Sequence, residues 1–433
     1  MKKYAYVNGI ILNGHENMEP QKGFVITTEN EKITAIKKVT EKELRNEKYT
    51  IIDLKGRYIM PGLINLHVHL PGSGKPIADE TSMNKKLKLI KKAETSSILQ
   101  AILRKTCESY AKTELLSGVT TIRTVAGLGN FDTQIRDRIN AGKVKGPRIL
   151  AANMGISVPN GHMAGSVTYI ANSAEEAVLL VQKIAKDKPN LIKLMVTGGV
   201  LDAKVAGEPG VLRMKPEIIK AACDEAHKLG LPVAAHVEGV EGLQAALASG
   251  IDTIEHGAKP NDEIIRLFKE NGSAQIVTLS PALPYAFFDT AISKVNEAGQ
   301  INGRVVFDGI VSCAKTCMEN AIPVGLGTDT ACSYVTHYGM WRELNYFHKY
   351  CGVSRKYALY TATLKNAQIA KIDHLTGSID SGKMADMIVI KENPLEKAEA
   401  LRHIDMVIMR GKIINNPRIK EIPQIDQELD KYL

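Results

Sequence analysis

Two histidines end a strongly apolar run, YIMPGLINLHVHL, at residues 58–70. Because side chains alternate along a strand, His67 and His69 are predicted to project from the same face of it. Two imidazoles on one face suit a divalent metal, although one of them could equally be packed and the other solvated. Two ligands alone do not make a metal site, so the remaining ligands must come from other segments.

Polar groups occupy the ends of several other apolar segments that have the pattern of buried strands. Lys193 lies in LIKLMVTGG, His236 in VAAHV, His256 in IDTIEHG and Asp329 in VGLGTD. Each one alone could be a cap or a hydrogen-bonded core residue, but buried ionisable groups are costly unless they are paired or ligated. Imidazole and carboxylate ligands without a thiolate favour divalent Zn, Mn or Co. The set as a whole predicts a metal centre.

Lys193 is the unusual member of this set, because an ammonium group repels cations. Addition of carbon dioxide to its amine would give a carbamate, whose two oxygen atoms can bridge two metals. A bridged pair of metals lowers the pKa of a shared water and polarises a carbonyl group. Asp329 would then take the proton from the attacking hydroxide and pass it to the leaving amine. The predicted chemistry is hydrolysis.

The elements that must position these residues follow from the order of patterns along the chain. The first sixty residues and the segment after residue 376 have strand patterns, whereas strands and helices alternate between them. Such alternation predicts parallel strands with crossover helices, closed as a TIM barrel whose active site lies at the C-terminal strand ends. We predict a barrel over residues 62–375 and one small β-domain from residues 1–61 and 376–433, because chain termini usually lie close together.

Composition argues against several other classes of protein. The 433-residue chain has a net charge of +9, but its aromatic content is only 5%, and the densest basic cluster, at residues 83–94, has the pattern of a solvated helix face. We therefore expect a small-molecule substrate and no nucleic acid. The chain shows no secretion signal, no membrane-spanning run and no cysteine framework, which predicts a cytoplasmic protein with reduced thiols.

Stretches that run nearly end to end resemble the amidohydrolase superfamily, in the branch of imidazolonepropionase-like and Xaa-Arg or Xaa-Pro dipeptidase-like (prolidase-type) enzymes. These stretches are PGLINLHVHL, SGVTTIRTVAG, GPRILAAN, IKLMVTGGV, AHVEGVEGLQAALASGIDTIEHG, GLGTDT and GSIDSGKMADMIVI.

The resemblance implies a TIM barrel with a β-sandwich of terminal strands, a binuclear centre and, often, a homo-oligomer. It places His67, His69 and Asp329 on one metal and His236 and His256 on the other, with carboxylated Lys193 as the bridge. Zinc is the expected metal, with manganese or cobalt as alternatives.

Substrate contacts are predicted at four further positions. His162, in PNGHMAG, would polarise the substrate carbonyl or hold its carboxylate, or would merely order its loop. Glu238 stands where many relatives have Tyr or His, and would face a cationic or hydrogen-bond-donating part of the substrate or form a salt bridge at the rim. His337 and Tyr338 follow the last strand and are expected to contact substrate.

A second departure from the family is Thr124, which follows Arg123 where relatives commonly carry Asp. It calls into question the hydrogen bonding behind the metal ligands, but not the ligands themselves.

Hydrolysis of a dipeptide or N-acyl amino acid is the first reading of this resemblance, with a cyclic amide such as a lactam or imidazolone ring as the nearest alternative. A heterocycle deaminase would usually carry His-x-x-Glu on the fifth strand, whereas His236 is followed by Val237, Glu238 and Gly239. A non-catalytic scaffold would be expected to lack metal ligands.

Overall fold

The computed structural model describes residues 2–76, 96–203 and 205–433, so the predicted basic helix at residues 83–94 lies outside the described residues. The strands are β1 Lys3–Val7, β2 Ile10–Ile11, β3 Val25–Glu29, β4 Lys32–Lys37, β5 Thr50–Asp53, β6 Tyr58–Pro61, β7 Leu63–Val68, β8 Val119–Thr124, β9 Arg148–Leu150, β10 Gly155–Ser157, β11 Thr168–Ile170, β12 Ile192–Met195, β13 Val233–Val237, β14 Thr253–His256, β15 Ala274–Val277, β16 Val324–Leu326, β17 Met387–Ile390, β18 Met406–Met409 and β19 Lys412–Asn415.

The α-helices are Glu41–Asn46, Ser97–Leu116, Phe131–Asn140, Ala174–Ala185, Pro216–Lys228, Val240–Ala248, Asp262–Asn271, Leu279–Phe287, Thr290–Ser293, Glu297–Glu319, Met340–Cys351, Arg355–Tyr360, Asn366–Ile369 and Pro423–Leu429. None of these described helices is long and apolar enough to cross a membrane.

The central part of the chain forms two parallel sheets, with helices between most of the successive strands. One sheet has the order β11-β10-β12-β13-β14-β15-β16, and the other has the order β7-β8-β9. Their strands are nearly continuous apolar runs, and every residue of β7, β12 and β13 is buried. Burial on both faces is typical of parallel strands covered by helices. The predicted alternation of strands and helices is present, and the fold is mixed α/β.

The last strand of the larger sheet lies against the first strand of the smaller one. The amide of Asp329 donates to the carbonyl of His67 at 2.8 Å, and the side chain of Asn65 bonds both the hydroxyl and the amide of Thr328. These two segments of the chain approach so closely that a Cβ at Gly327 would lie 2.4 Å from Cβ of His67. Only glycine fits there.

Strands from the two ends of the chain pair with each other. β17 runs antiparallel to β6, so that Ile388 lies opposite Met60 in a sheet of order β19-β18-β17-β6-β2. A second sheet, β4-β3-β1-β5, is built from N-terminal strands alone. The buried residues between them include Tyr6, Ile59 and Val389. This pairing agrees with the expectation that the two β-rich ends associate.

Candidate active site

One pocket of about 270 Å³ collects polar side chains from the parallel strands and from the loops that follow them. All six residues predicted as metal ligands line it, together with two of the predicted substrate contacts: His67, His69, Lys193, His236, His256, Asp329, His162 and Glu238. They come from strands far apart in sequence. The carboxyl ends of neighbouring parallel strands meet at one edge, which explains their convergence.

Asp329 lies between the two histidines of the HVH stretch. Its Oδ1 is 3.0 Å from Nε2 of His69 and 3.3 Å from Nε2 of His67. Burial alone would raise the pKa of Asp329, but the two histidines outweigh burial and hold it well below its usual value. Asp329 and His256 both have positive φ angles, 58° and 70°. Backbone strain of this kind is concentrated at functional sites.

His236 and His256 lie on the other side of the pocket, with ring centroids 4.7 Å apart. Nδ1 of His256 is 2.6 Å from the hydroxyl of Thr278, which orients the ring. Burial, followed by neighbouring positive groups, lowers the pKa of both histidines well below the usual value. Both imidazoles are therefore neutral at neutral pH, which is the form that binds metals.

Four buried polar atoms in this pocket have no hydrogen-bond partner among the described residues: Nζ of Lys193, Nε2 of His236, Oε2 of Glu238 and Oδ1 of Asp329. Orphaned buried groups are rare in proteins unless a ligand, water or ion satisfies them. Geometry also groups His67, His256 and Asp329, and separately His236, Glu238 and His256, with one ligand atom from each residue within 4.8 Å of the others. These nitrogen and oxygen donors fit divalent cations.

Lys193 is fully enclosed in the pocket wall, where burial lowers its pKa to about 8. A larger fraction of its amine is therefore neutral than in an exposed lysine. The neutral amine is the form that can add carbon dioxide. Burial thus favours the carboxylation expected for this residue.

Glu255 is a functional residue that the sequence analysis missed. Its Oε2 is 2.7 Å from Nδ1 of His67, and its Oε1 accepts from Nη2 of Arg123 at 2.6 Å. Burial would raise its pKa, but Arg123 and His67 outweigh burial and lower it. A signal was present, since TIRT and TIEH each place one charge inside an otherwise buried strand. Opposite charges in such strands suggest an ion pair.

His162 lies flat against His236, with ring centroids 4.2 Å apart and an interplanar angle of 7°. Its Nδ1 is 2.5 Å from Oδ2 of Asp202, and the same oxygen accepts the amide of Gly199. Asp202 therefore fixes the orientation of the imidazole at the pocket wall. The sequence analysis identified His162 but not Asp202, which lies 40 residues away.

His337 and Tyr338 lie outside the described pocket lining, and their contact with substrate stays a prediction. His337 is buried behind it, where Nε2 is 2.7 Å from the carbonyl of Gly72 and the ring stacks on Tyr110. The hydroxyl of Tyr338 donates to Asp426 and accepts the amide of Ile422. Both residues hold neighbouring segments together, because the chain turns away from the pocket after Ser333.

The hydroxyl of Thr124 accepts a hydrogen bond from the amide of Ala152 at 3.3 Å. Beside it lies Asp132, a carboxyl that is 1% exposed. Burial raises the pKa of Asp132 to about 6, although Thr124 and His69 act in the opposite direction. A carboxyl group thus lies near the HVH stretch despite the threonine, supplied by a helix rather than by the strand.

Solved structures of similar proteins cover nearly the whole chain. A candidate prolidase from Bifidobacterium longum superposes with a TM-score of 0.86 and 33% identity, covering 99% of this chain and 98% of that one. A Xaa-Pro dipeptidase with bound methionine in its active site gives a TM-score of 0.80 and 28% identity, covering 96% and 100%.

Curated sequences agree with the structural neighbours. Ochratoxinase of Aspergillus niger is 26% identical over 390 residues, which are 83% of this chain and 76% of that protein. Imidazolonepropionases are also among the relatives. The model of the amidohydrolase family matches residues 58–414. The chain belongs to the amidohydrolase family, as its sequence stretches predicted.

Proposed function

We propose that this protein is a binuclear metal-dependent hydrolase that cleaves the amide bond of a dipeptide or an N-acyl amino acid. The observation that carries the proposal is the convergence of His67, His69, His236, His256 and Asp329 around the unpartnered amine of Lys193. A buried cluster of this composition has no structural purpose that its own hydrogen bonds explain. Prolidase-type neighbours and ochratoxinase support an amide bond as the target.

We infer that the two parallel sheets form one TIM barrel and that the terminal strands form a β-sandwich. The hydrogen bonds that join Asp329 to His67 and Thr328 to Asn65 support closure between β16 and β7. In such a barrel the pocket lies at the C-terminal strand ends, where active sites of this fold lie.

His67, His69 and Asp329 would hold one cation and His236 and His256 the other, with the carbamate of Lys193 between them. Two cations held there would supply a water of lowered pKa and would polarise the amide carbonyl. Zinc fits the donor set, as do manganese and cobalt.

Asp329 is suited to the proton transfers of the reaction. Its carboxylate stays ionised at neutral pH because His67 and His69 lower its pKa. It can therefore accept a proton from the attacking water at Oδ and return it to the departing nitrogen. Without this second transfer the leaving group would depart as an unstable amide anion.

His162 is placed to contact the substrate carbonyl or a carboxylate. Asp202 engages its Nδ1, which leaves Nε2 for the substrate. The pocket also has an apolar wall, formed by Met163, Val167, Val200, Leu201 and Pro281. An aliphatic or aromatic side chain would bury its surface there. Bound methionine in the similar Xaa-Pro dipeptidase supports an amino-acid-containing substrate.

A cyclic amide is the second candidate, favoured by the imidazolonepropionase relatives. Attack on a lactam carbonyl needs the same residues as attack on a linear amide. The difference lies in the product, since ring opening releases no free amino acid.

A release assay tests the proposal. Protein reconstituted with Zn²⁺ or Mn²⁺ and bicarbonate is incubated with dipeptides, N-acyl amino acids and cyclic amides, while free amino acid, ammonia and ring opening are measured in parallel. We expect release of free amino acid, and its loss in Lys193→Ala. Ring opening alone would favour the cyclic-amide reading, and ammonia alone would overturn both.

A further inference from the structure

Glu238 is a partly buried carboxylate that the proposed reaction does not use. It follows β13 by one residue and lines the pocket beside His236. Its Oε2 is buried and has no hydrogen-bond partner in the described part of the chain. A carboxylate oxygen without a donor is costly in such a place. A bound molecule that brings a donor would remove this cost.

The position of Glu238 relative to the metal ligands limits which part of a substrate it can meet. Ligand atoms of His236, His256 and Glu238 all lie within 4.8 Å of one another. A scissile carbonyl held at the centre would therefore lie only a few ångströms from Oε2. In a dipeptide the α-ammonium is bonded to the carbon next to that carbonyl. In an N-acyl amino acid an alkyl or aryl group occupies that place.

The charges in the pocket wall around Glu238 favour a cationic group of the substrate. Glu238 lines this part of the wall, and a second carboxylate, Asp202, accepts the amide of the neighbouring lining residue Gly199. Lys193 is the one lysine or arginine among the described lining residues, and carboxylation would remove its positive charge. Val200 and Leu201 continue the wall with apolar surface, where the side chain of the substrate's first residue can pack.

We propose that Glu238 forms an ammonium-binding subsite, and that the substrates are dipeptides with a free N-terminus and an apolar first residue rather than N-acyl amino acids. This inference rests on the proposed amide hydrolysis. An ammonium group donates to Oε2 and brings the charge that the wall lacks. The desamino analogue would leave the same oxygen buried without a donor.

A matched pair of substrates tests the subsite. L-leucyl dipeptides are compared with 4-methylpentanoyl derivatives of the same second amino acid, which differ only by replacement of the ammonium group with hydrogen. We expect the wild-type kcat/KM to favour the dipeptide by about 10- to 100-fold, the range for a hydrogen bond to a charged group. Glu238→Gln should lose this preference, because it lowers kcat/KM for the dipeptide far more than for the desamino analogue.

Glu238→Asp and Glu241→Gln serve as controls, since the first keeps the charge and the second alters an exposed carboxylate three residues away. We expect Glu238→Asp to retain part of the preference for the dipeptide over the desamino analogue. Glu241→Gln should retain all of it. Equal cleavage of the two substrates by wild type would overturn the inference. A loss of bound metal in Glu238→Gln with the preference intact would also overturn it and make Glu238 a metal ligand. Cleavage of neither substrate would instead count against the proposed function.

Discussion

Glu255 lies 2.7 Å from Nδ1 of His67, while its other oxygen accepts from Arg123. Because Glu255 has a lowered pKa, it stays ionised and Nδ1 of His67 is the donor. This tautomer leaves the lone pair of Nε2 available to a metal ion. A carboxylate behind a histidine ligand fixes the ring and increases its basicity.

Removal of this carboxylate should destabilise the fold. Glu255→Gln leaves Arg123 buried without its counter-charge, and breaking a buried pair costs about 3–5 kcal/mol. Urea unfolding of the metal-free protein measures the loss. Glu263→Gln is the matched control, because it breaks an ion pair with Arg266 that is exposed and screened by water. Equal effects of the two substitutions would contradict the structural role of Glu255.

Lys193 should control metal content as well as rate. We expect Lys193→Ala to bind less metal per chain than wild type and to lose about 10²- to 10³-fold or more in kcat/KM, as expected for loss of a group that stabilises transition-state charge. Elemental analysis after gel filtration measures the metal. Exposed Lys186→Ala is the control and should keep both values. A short carboxylic acid should restore part of the activity, because it supplies two oxygen atoms in the vacated volume. Full metal content in Lys193→Ala would exclude Lys193 as a ligand.

Asp132 should make stability depend on pH. Its pKa rises from 3.8 to about 6 on folding, so the folded chain binds more protons than the unfolded chain between these values. The contribution of Asp132 to the stability of the chelator-treated protein is therefore greatest below pH 3.8. This contribution falls as the pH rises to about 6. Asp132→Asn should remove this decline and stabilise the protein at pH 7.5 by up to about 3 kcal/mol.

Urea midpoints at pH 4.5 and 7.5 measure the effect of Asp132→Asn. Exposed Asp224→Asn is the control. A variant as pH-sensitive as wild type would show that other groups cause the decline.

Tyr338→Phe separates a structural role from substrate binding. The hydroxyl of Tyr338 bonds Asp426 and the amide of Ile422, so its loss should cost about 1–2 kcal/mol in the free energy of unfolding. KM should stay within error of wild type, because Tyr338 is not part of the described pocket lining. A raised KM with unchanged stability would restore the original expectation that Tyr338 contacts substrate.

The sequence by itself determined which side chains end the parallel strands. Alternation placed His67 and His69 on one face, and the strand-helix order placed Lys193, His236 and Asp329 at strand ends that must meet. The first inference needs only the two-residue alternation of side chains along a strand, and the second needs only the shared direction of parallel strands. Strand patterns at both ends also led us to expect that the two ends associate, and β6 pairs with β17 in the structure.

Only the tertiary structure decided which groups lie behind and beside these residues. Glu255 and His67 are 188 residues apart, and no local pattern states that their side chains touch. The loop after the last strand likewise turned His337 inward, and the unpartnered oxygen of Glu238 became visible only with its surroundings. Such contacts depend on side-chain directions between distant segments, which packing of the whole chain sets.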